Sequence, residues 1–490
     1  MDSSQFKKIT TSSLRWNTLS QFLSQAISLV IGIILARRLS PEEFGVVGMV
    51  VVLTGFANIF VNFGLASAII QRKNTSDKHL SSVFWINIFA SLLMSVTMSL
   101  CAPLVSKFYS NPSLTSVTIA IAWTLFLQSF TMVQNALLRR KMNFKRITFI
   151  TNISSLVAGT AAIICAYLGF SYWSIIIQSY VAILVTAAFL WLSSSWRPAF
   201  LFEKDSIKEL LNFTLPLVGT EILNYWRRNA DYLLIGKILG DSALGIYTRA
   251  YTLMLKPISN VSRVISSVMF PAYSAIQDDK DKIKRIYLRI TRLIAFLTFP
   301  AMFGLLAVSE SFIMVLLGEK WEAAIPILKI LAPIGAIQSL STLNGNIFLS
   351  QGATKLQFHV GIYTKSFAII MMFIGLLLGE LKGLASFYLI ASIVNYFILY
   401  HFMGGLINLK LREILLNIYK YFISSVIMAS VVIIIHDYLL VEFSYFHRLS
   451  ASMLTGILTY TALALALGAK EHKELLILFR RNSAESKPAQ

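Results

Sequence analysis

The chain has 490 residues, 56% of them hydrophobic and only 13% charged, with a formal net charge of +20. A soluble domain carries about 25% charged residues, so this composition excludes an ordinary water-soluble fold. Two cysteines, Cys101 and Cys165, both inside apolar stretches, exclude a disulfide framework and do not make a metal site.

A helix needs about 20 apolar residues to cross a bilayer. Stretches of that kind lie near 17–36, 44–70, 81–104, 115–138, 147–168, 173–193 and 210–236, and then near 243–270, 290–317, 325–350, 357–379, 383–404, 416–436 and 449–469. Lys7, Lys8 and Arg15 precede the first, with no short apolar core and small-residue cleavage site, so it reads as a retained span with a cytoplasmic amino terminus. On that orientation 29 of the 43 Lys and Arg residues fall on the cytoplasmic side, 7 in outer loops and 7 within spans. This is the positive-inside pattern: the basic excess sets topology and meets anionic lipid headgroups, and it needs no nucleic acid. Tryptophans near span ends, such as Trp173, Trp191 and Trp321, read as interface anchors; Trp226 stands mid-span among charges.

An internal repeat organises the chain. ARRLSPEEFGVV (36–47) matches GKILGDSALGIY (236–247), aligning Leu39 with Leu239 and Gly45 with Gly245, and SAIIQ (67–71) echoes YSAIQ (273–277). An offset of 200 residues equals six spans, an even number, so both copies keep one orientation. The expected fold is therefore all-α: a polytopic membrane protein of about 14 transmembrane helices, in two parallel six-helix lobes plus two C-terminal helices. The boundaries are 1–200 for the N-terminal lobe, 201–405 for the C-terminal lobe, and 406–490 for the added helices and a cytoplasmic tail. Gly375, Gly379 and Gly383 straddle an expected turn at a spacing that permits close helix approach.

The seventh span carries Glu221, Asn224, Arg227, Arg228 and Asp231, which fall within an arc of about 120° at 100° per residue. A charge at the bilayer centre costs about 2.5–3.5 kcal/mol on insertion scales, so this face must look into protein or water. The eighth span carries Arg249, Lys256 and Arg263 at intervals of seven, a single file with steps of about 10 Å. The antiparallel register expected for these spans pairs Asp231 with Arg249 and Glu221 with Lys256. Over all spans seven basic residues face three acids, and an excess of buried cations suits an anionic visitor such as a diphosphate or an acidic sugar. The alternative is that these charges only hold helices together or snorkel to the interface. The first span offers neutral groups on the equivalent face: Gln21, Ser24, Gln25 and Ser28. Prolines at 216, 257, 300, 326 and 333 can bend spans seven to ten. There is no phosphate-binding Walker loop, no HExxH and no histidine cluster, so neither ATP hydrolysis, metal nor cofactor chemistry is expected, and enzyme status looks weak.

ARRLSPEEFGVV (36–47), RNADYLLIGKILGDSALGIYTRAYTLM (228–254) and VSRVISSVMFPAYSAIQDD (261–279) together resemble the polysaccharide transporters of the multidrug/oligosaccharidyl-lipid/polysaccharide exporter superfamily. The resemblance is to the Wzx-type, colanic-acid and teichuronic-acid exporter branch, and it extends over nearly the whole chain. It implies a flippase that moves undecaprenyl-diphosphate-linked oligosaccharide units across the bacterial inner membrane by alternating access, with both termini cytoplasmic. It further implies that a cationic cavity formed by Arg228, Arg249, Lys256, Arg263 and Arg227 holds the diphosphate. Glu221 and Asp231 would be ion-coupling or cavity acids, and a polysaccharide polymerase complex a possible partner. A cation-coupled drug antiporter of the same fold, which would want an acidic cavity, and a membrane enzyme or scaffold of envelope glycan assembly are the alternatives.

Overall fold

The structure, a computed structural model, describes residues 23–62, 69, 76–201 and 204–468; within these, some side chains, those of Arg227 and Arg263 among them, are not described. Every regular element among the described residues is helical. The chain divides into two compact units, 1–245 and 246–490.

The first unit begins with α1 (23–38) and α2 (Pro41–Asn62). Then come α3 (Asp77–Tyr109), α4 (Leu114–Arg140), α5 (Phe144–Tyr167) and α6 (Trp173–Ser193). Polar residues start and stop these helices. Ser76 caps α3 by accepting from the His79 amide at 3.2 Å, and Asn143 caps α5 by accepting from the Arg146 amide at 3.2 Å. Ser110, at φ 57°, ends α3 with a left-handed residue.

The helix α3 shows which solvent this fold is built for. Ser81, Ser82, Asn87, Ser91 and Ser95 are buried, while Phe89, Leu93, Leu100 and Leu104 are more than half exposed. A helix in water would turn these faces the other way. In lipid, apolar groups gain nothing by hiding from the solvent, so small polar residues take the helix contacts. Ser95 Oγ accordingly donates to the Ala122 carbonyl of α4 at 2.8 Å.

The run Lys204–Ser274 is helical on both sides of Gly240, whose φ of 86° and ψ of −172° no helix contains. We label its arms α7 and α8; the positive φ there requires glycine. The sequence repeat proves to be a contact. A Cβ on Gly45 would lie 2.8 Å from the Asp241 Cα, and one on Gly245 would lie 2.7 Å from the Pro41 carbonyl carbon and 3.2 Å from the Gly45 nitrogen. The first turns of α2 and α8 thus cross backbone to backbone at the aligned glycines. Ser242 Oγ donates to Glu42 Oε1 at 2.7 Å, also at an offset of 200, and Asn111 Nδ2 donates to Asp241 Oδ2 at 3.0 Å.

The second unit contains the rest of α8, then α9 (Lys280–Ala307) and the short α10 (Ser309–Leu316). α11 (Ala324–Leu340) is followed by a 3-10 turn at Ser341–Leu343 and α12 (Asn344–Ser350). Thr354–Leu406 breaks at Gly379 and Glu380 into arms α13 and α14. A Cβ on Gly375 would lie 2.8 Å from the Gly383 carbonyl carbon and 2.7 Å from the Phe387 Cβ, so the two arms form a tight hairpin over these glycines. α15 (Leu411–Ile434) runs into a π turn at Ile435–Leu439, and α16 (Tyr445–Ala466) closes the described chain.

Buried hydroxyls bind this unit. Tyr287 of α9 donates to Asn344 Oδ1 at 2.7 Å and shares a 2.5 Å hydrogen bond with the Tyr400 hydroxyl of α14. Thr298 of α9 meets Ser339 of α11 at 2.8 Å. The two added helices dock on α9: Asn417 Nδ2 of α15 donates to the Leu288 carbonyl at 2.8 Å, and the Tyr460 hydroxyl of α16 to the Phe296 carbonyl at 2.9 Å.

Ten stretches among the described residues are long and apolar enough to cross a membrane. The one at Thr354–Leu406 folds back and counts twice; with α1, α7 and α8, and with α11 and α12 taken as one, the described residues hold fourteen long helical segments, in line with the number expected. Four details differ from expectation. The ninth helix starts at Lys280 rather than near 290, and residues 309–316 form a separate short helix. Trp321, expected as an interface anchor, is fully buried in a 3-10 turn. Arg448, just ahead of the span expected near 449–469, stands in the first turn of α16 with 7% exposure, 3.7 Å from Glu310 and donating to the His436 carbonyl at 3.2 Å.

Candidate functional site: the charged helix faces

α7 is helical through 221–231, so the arc argued from sequence holds at the backbone. Glu221 and Arg228 are exposed, and Asn224 and Asp231 are half-buried. The face beside them is packed. The Tyr225 hydroxyl donates to the Val52 carbonyl of α2 at 2.5 Å, and its ring lies over Gly55, where a Cβ would stand 3.3 Å from Tyr225 Cε2. Phe56 meets the rings of Tyr225 and Trp226 at 6.1 Å and 5.0 Å. This aromatic wedge fixes the rotation of α7 on α2 and thereby fixes where Glu221, Arg228 and Asp231 stand. Trp226, which had no evident role in the sequence, is part of it. The available signal was a glycine, Gly55, inside an otherwise bulky apolar run.

In the second unit α8 is helical without a break through 249, 256 and 263, so the single file stands at the backbone, and Arg249 and Lys256 are each half-buried. Two turns of helix separate them, about 10 Å. A guanidinium and an ammonium at that spacing can grip two ends of an anion of diphosphate size, the first through paired N–H donors and the second as a point charge.

The neutral face of α1 fares differently. Ser24 Oγ donates to Asn152 Oδ1 of α5 at 2.5 Å, and a Cβ on Gly159 of α5 would be driven into the Ile31 side chain. Ser24 is thus engaged in helix packing. Gln25 is half-buried, Ser28 is exposed, and Gln21 lies outside the described residues. Asn152, unremarked in the sequence, is the partner that the serine selects.

Comparison with known proteins places these features. The chain is 28% identical over 422 residues, 85% of its own length and 87% of the relative's, to the teichuronic acid biosynthesis protein TuaB of Bacillus subtilis. It is 26% identical over 400 residues, 80% of either chain, to the lipopolysaccharide biosynthesis protein WzxC of Escherichia coli. Among solved structures it resembles the lipid II flippase MurJ in an inward closed conformation, with a TM-score of 0.75 over 94% of this chain and 99% of that one, at 16% identity; the likeness is one of fold. The family described as polysaccharide biosynthesis protein matches residues 34–326, a range that takes in the glycine crossing and both charged faces. The chain belongs to that polysaccharide biosynthesis family.

Proposed function

We propose that this chain is a flippase that moves undecaprenyl-diphosphate-linked oligosaccharide units across the bacterial inner membrane by alternating access, without catalysing a covalent step. The observation that carries the reading is the file of cations on unbroken α8, with Arg249 and Lys256 half-buried two turns apart. A guanidinium and an ammonium about 10 Å apart on one membrane-spanning helix suit a diphosphate, which offers oxygens to both. Arg228, Arg227 and Arg263 are assigned to the same anion, and Glu221 and Asp231 to coupling or to tuning of the cavity. The lobes 1–200 and 201–405, the additional segment 406–490, cytoplasmic termini and an associated polysaccharide polymerase belong to this reading. The names of the relatives support its glycan part, and the excess of basic residues on the cytoplasmic side of the expected spans supports the orientation.

The test is replacement of Arg249 or Lys256 by Ala in cells whose surface polysaccharide depends on this chain. Loss of polysaccharide with accumulation of lipid-linked precursor is expected. Normal polysaccharide together with new drug sensitivity would instead assign the chain to the antiporters.

A further inference from the structure

The first unit holds a second polar feature, away from the charged helix faces. A cavity of about 190 Å³ opens between α2, α3 and α4. This is room for several waters, enough for one six-membered sugar ring. Val61 and Met132 give it an apolar side, while Asn87, Gln128, Asn135 and Arg139 give it a polar one. Among the described residues its lining contains no carboxylate.

Asn87 points to a visitor. Its side chain is 1% exposed; Nδ2 donates to the Ser129 carbonyl at 3.3 Å, but Oδ1 is buried with no hydrogen-bond partner. An acceptor left so costs about 1–3 kcal/mol until a donor arrives. Arg139 donates Nε to Asn135 Oδ1 at 3.0 Å, which orients the guanidinium and uses one of its five N–H donors. Three amides, each offering a donor and an acceptor, match the vicinal hydroxyls of a sugar. One guanidinium at the rim matches a carboxylate. A lipid phosphate could satisfy Arg139 but would leave the amides unmatched.

We propose that this cavity is a sugar subsite, taking one carboxylate-bearing pyranose of the cargo with its hydroxyls on Asn87, Gln128 and Asn135 and its carboxylate on Arg139. The proposal rests on the flippase reading for its assumption that the cargo is a glycan.

The experiment is ligand-observed NMR on the purified full chain in detergent, with saturation transfer for free D-glucuronate and D-glucose and phosphorus-31 line broadening for inorganic phosphate. Glucuronate is expected to bind more tightly than glucose. Arg139→Ala should weaken glucuronate about tenfold, about 1.4 kcal/mol, and leave glucose unchanged. Gln128→Ala, an exposed position that folding tolerates, should weaken both sugars, and Asn87→Leu should remove both. Absence of sugar binding, sugar binding indifferent to Arg139→Ala and Gln128→Ala, or phosphate binding without glucose would each overturn the proposal. The two readings fail separately: export lost in Arg249→Ala with no sugar binding here sinks the subsite alone, and sugar binding with export indifferent to Arg249→Ala sinks the flippase reading alone.

Discussion

The crossing of α2 and α8 allows a sharp test, because three glycines close together in this region should respond oppositely to one methyl group. In Gly245→Ala the new Cβ would stand 2.7 Å from the Pro41 carbonyl carbon and 3.2 Å from the Gly45 nitrogen. Carbon atoms rest 3.5–4.0 Å apart, so the helix starts must separate by about 1 Å. The obstacle is backbone and cannot change rotamer. Overpacking of this kind costs about 1–3 kcal/mol, and alanine's helix preference returns at most about 1 kcal/mol, so a net loss of about 1–2 kcal/mol is expected. Gly45→Ala meets Asp241 in the same way. In Gly48→Ala the nearest atom is the Leu244 Cδ2 at 3.5 Å, an ordinary contact, so that variant should match or exceed the parent by up to about 1 kcal/mol. Thermal unfolding of the three variants in one detergent, followed by loss of monodisperse protein, gives the comparison. Should Gly245→Ala unfold together with Gly48→Ala, the backbone crossing does not exist as described.

Further outcomes follow from the buried hydrogen bonds and the hairpin. Tyr287→Phe strands Asn344 Oδ1 and the Tyr400 hydroxyl in a buried site and should cost about 1–3 kcal/mol. Tyr225→Phe loses one bond to the Val52 carbonyl and should cost about 1 kcal/mol; a reversed order in the thermal assay contradicts the burial argument. Gly375→Ala drives a methyl against Gly383 and Phe387 and should lower yield and melting temperature, whereas Gly379→Ala, with nothing within 4 Å, should be mild by comparison. Arg249→Lys should retain part of the export that Arg249→Ala loses, since charge survives while the paired N–H donors do not; equal loss in both would show that the guanidinium shape is indispensable.

The offset of 200 residues was legible because glycine and turn residues at helix starts are short-range signals, and they aligned Gly45 with Gly245 as equivalent positions; that the two positions meet backbone to backbone was not legible. Likewise the charges on α7 and α8 were legible by their cost, since lipid makes each of them conspicuous. Other positions gave no such sign. Ser24 and Ser28 look alike in sequence, yet one hydroxyl is spent on Asn152 and the other is exposed. Arg448 falls just outside the last apolar stretch of the sequence, yet it is buried beside Glu310. Trp321 looked like an anchor and is core.

The sequence by itself determined that this is a polytopic helical membrane protein and where its long apolar segments and unusual charges lie, because hydropathy, helix length and glycine placement are properties of segments a chain carries locally. Only the tertiary structure decided which side chain meets which: the wedge of Tyr225 and Trp226 on α2, the engagement of Ser24, and the unsatisfied oxygen of Asn87. In a bilayer the solvent does not sort apolar from polar faces as water does, so helix rotation and partner choice are set by close packing and hydrogen bonds between segments far apart in the chain.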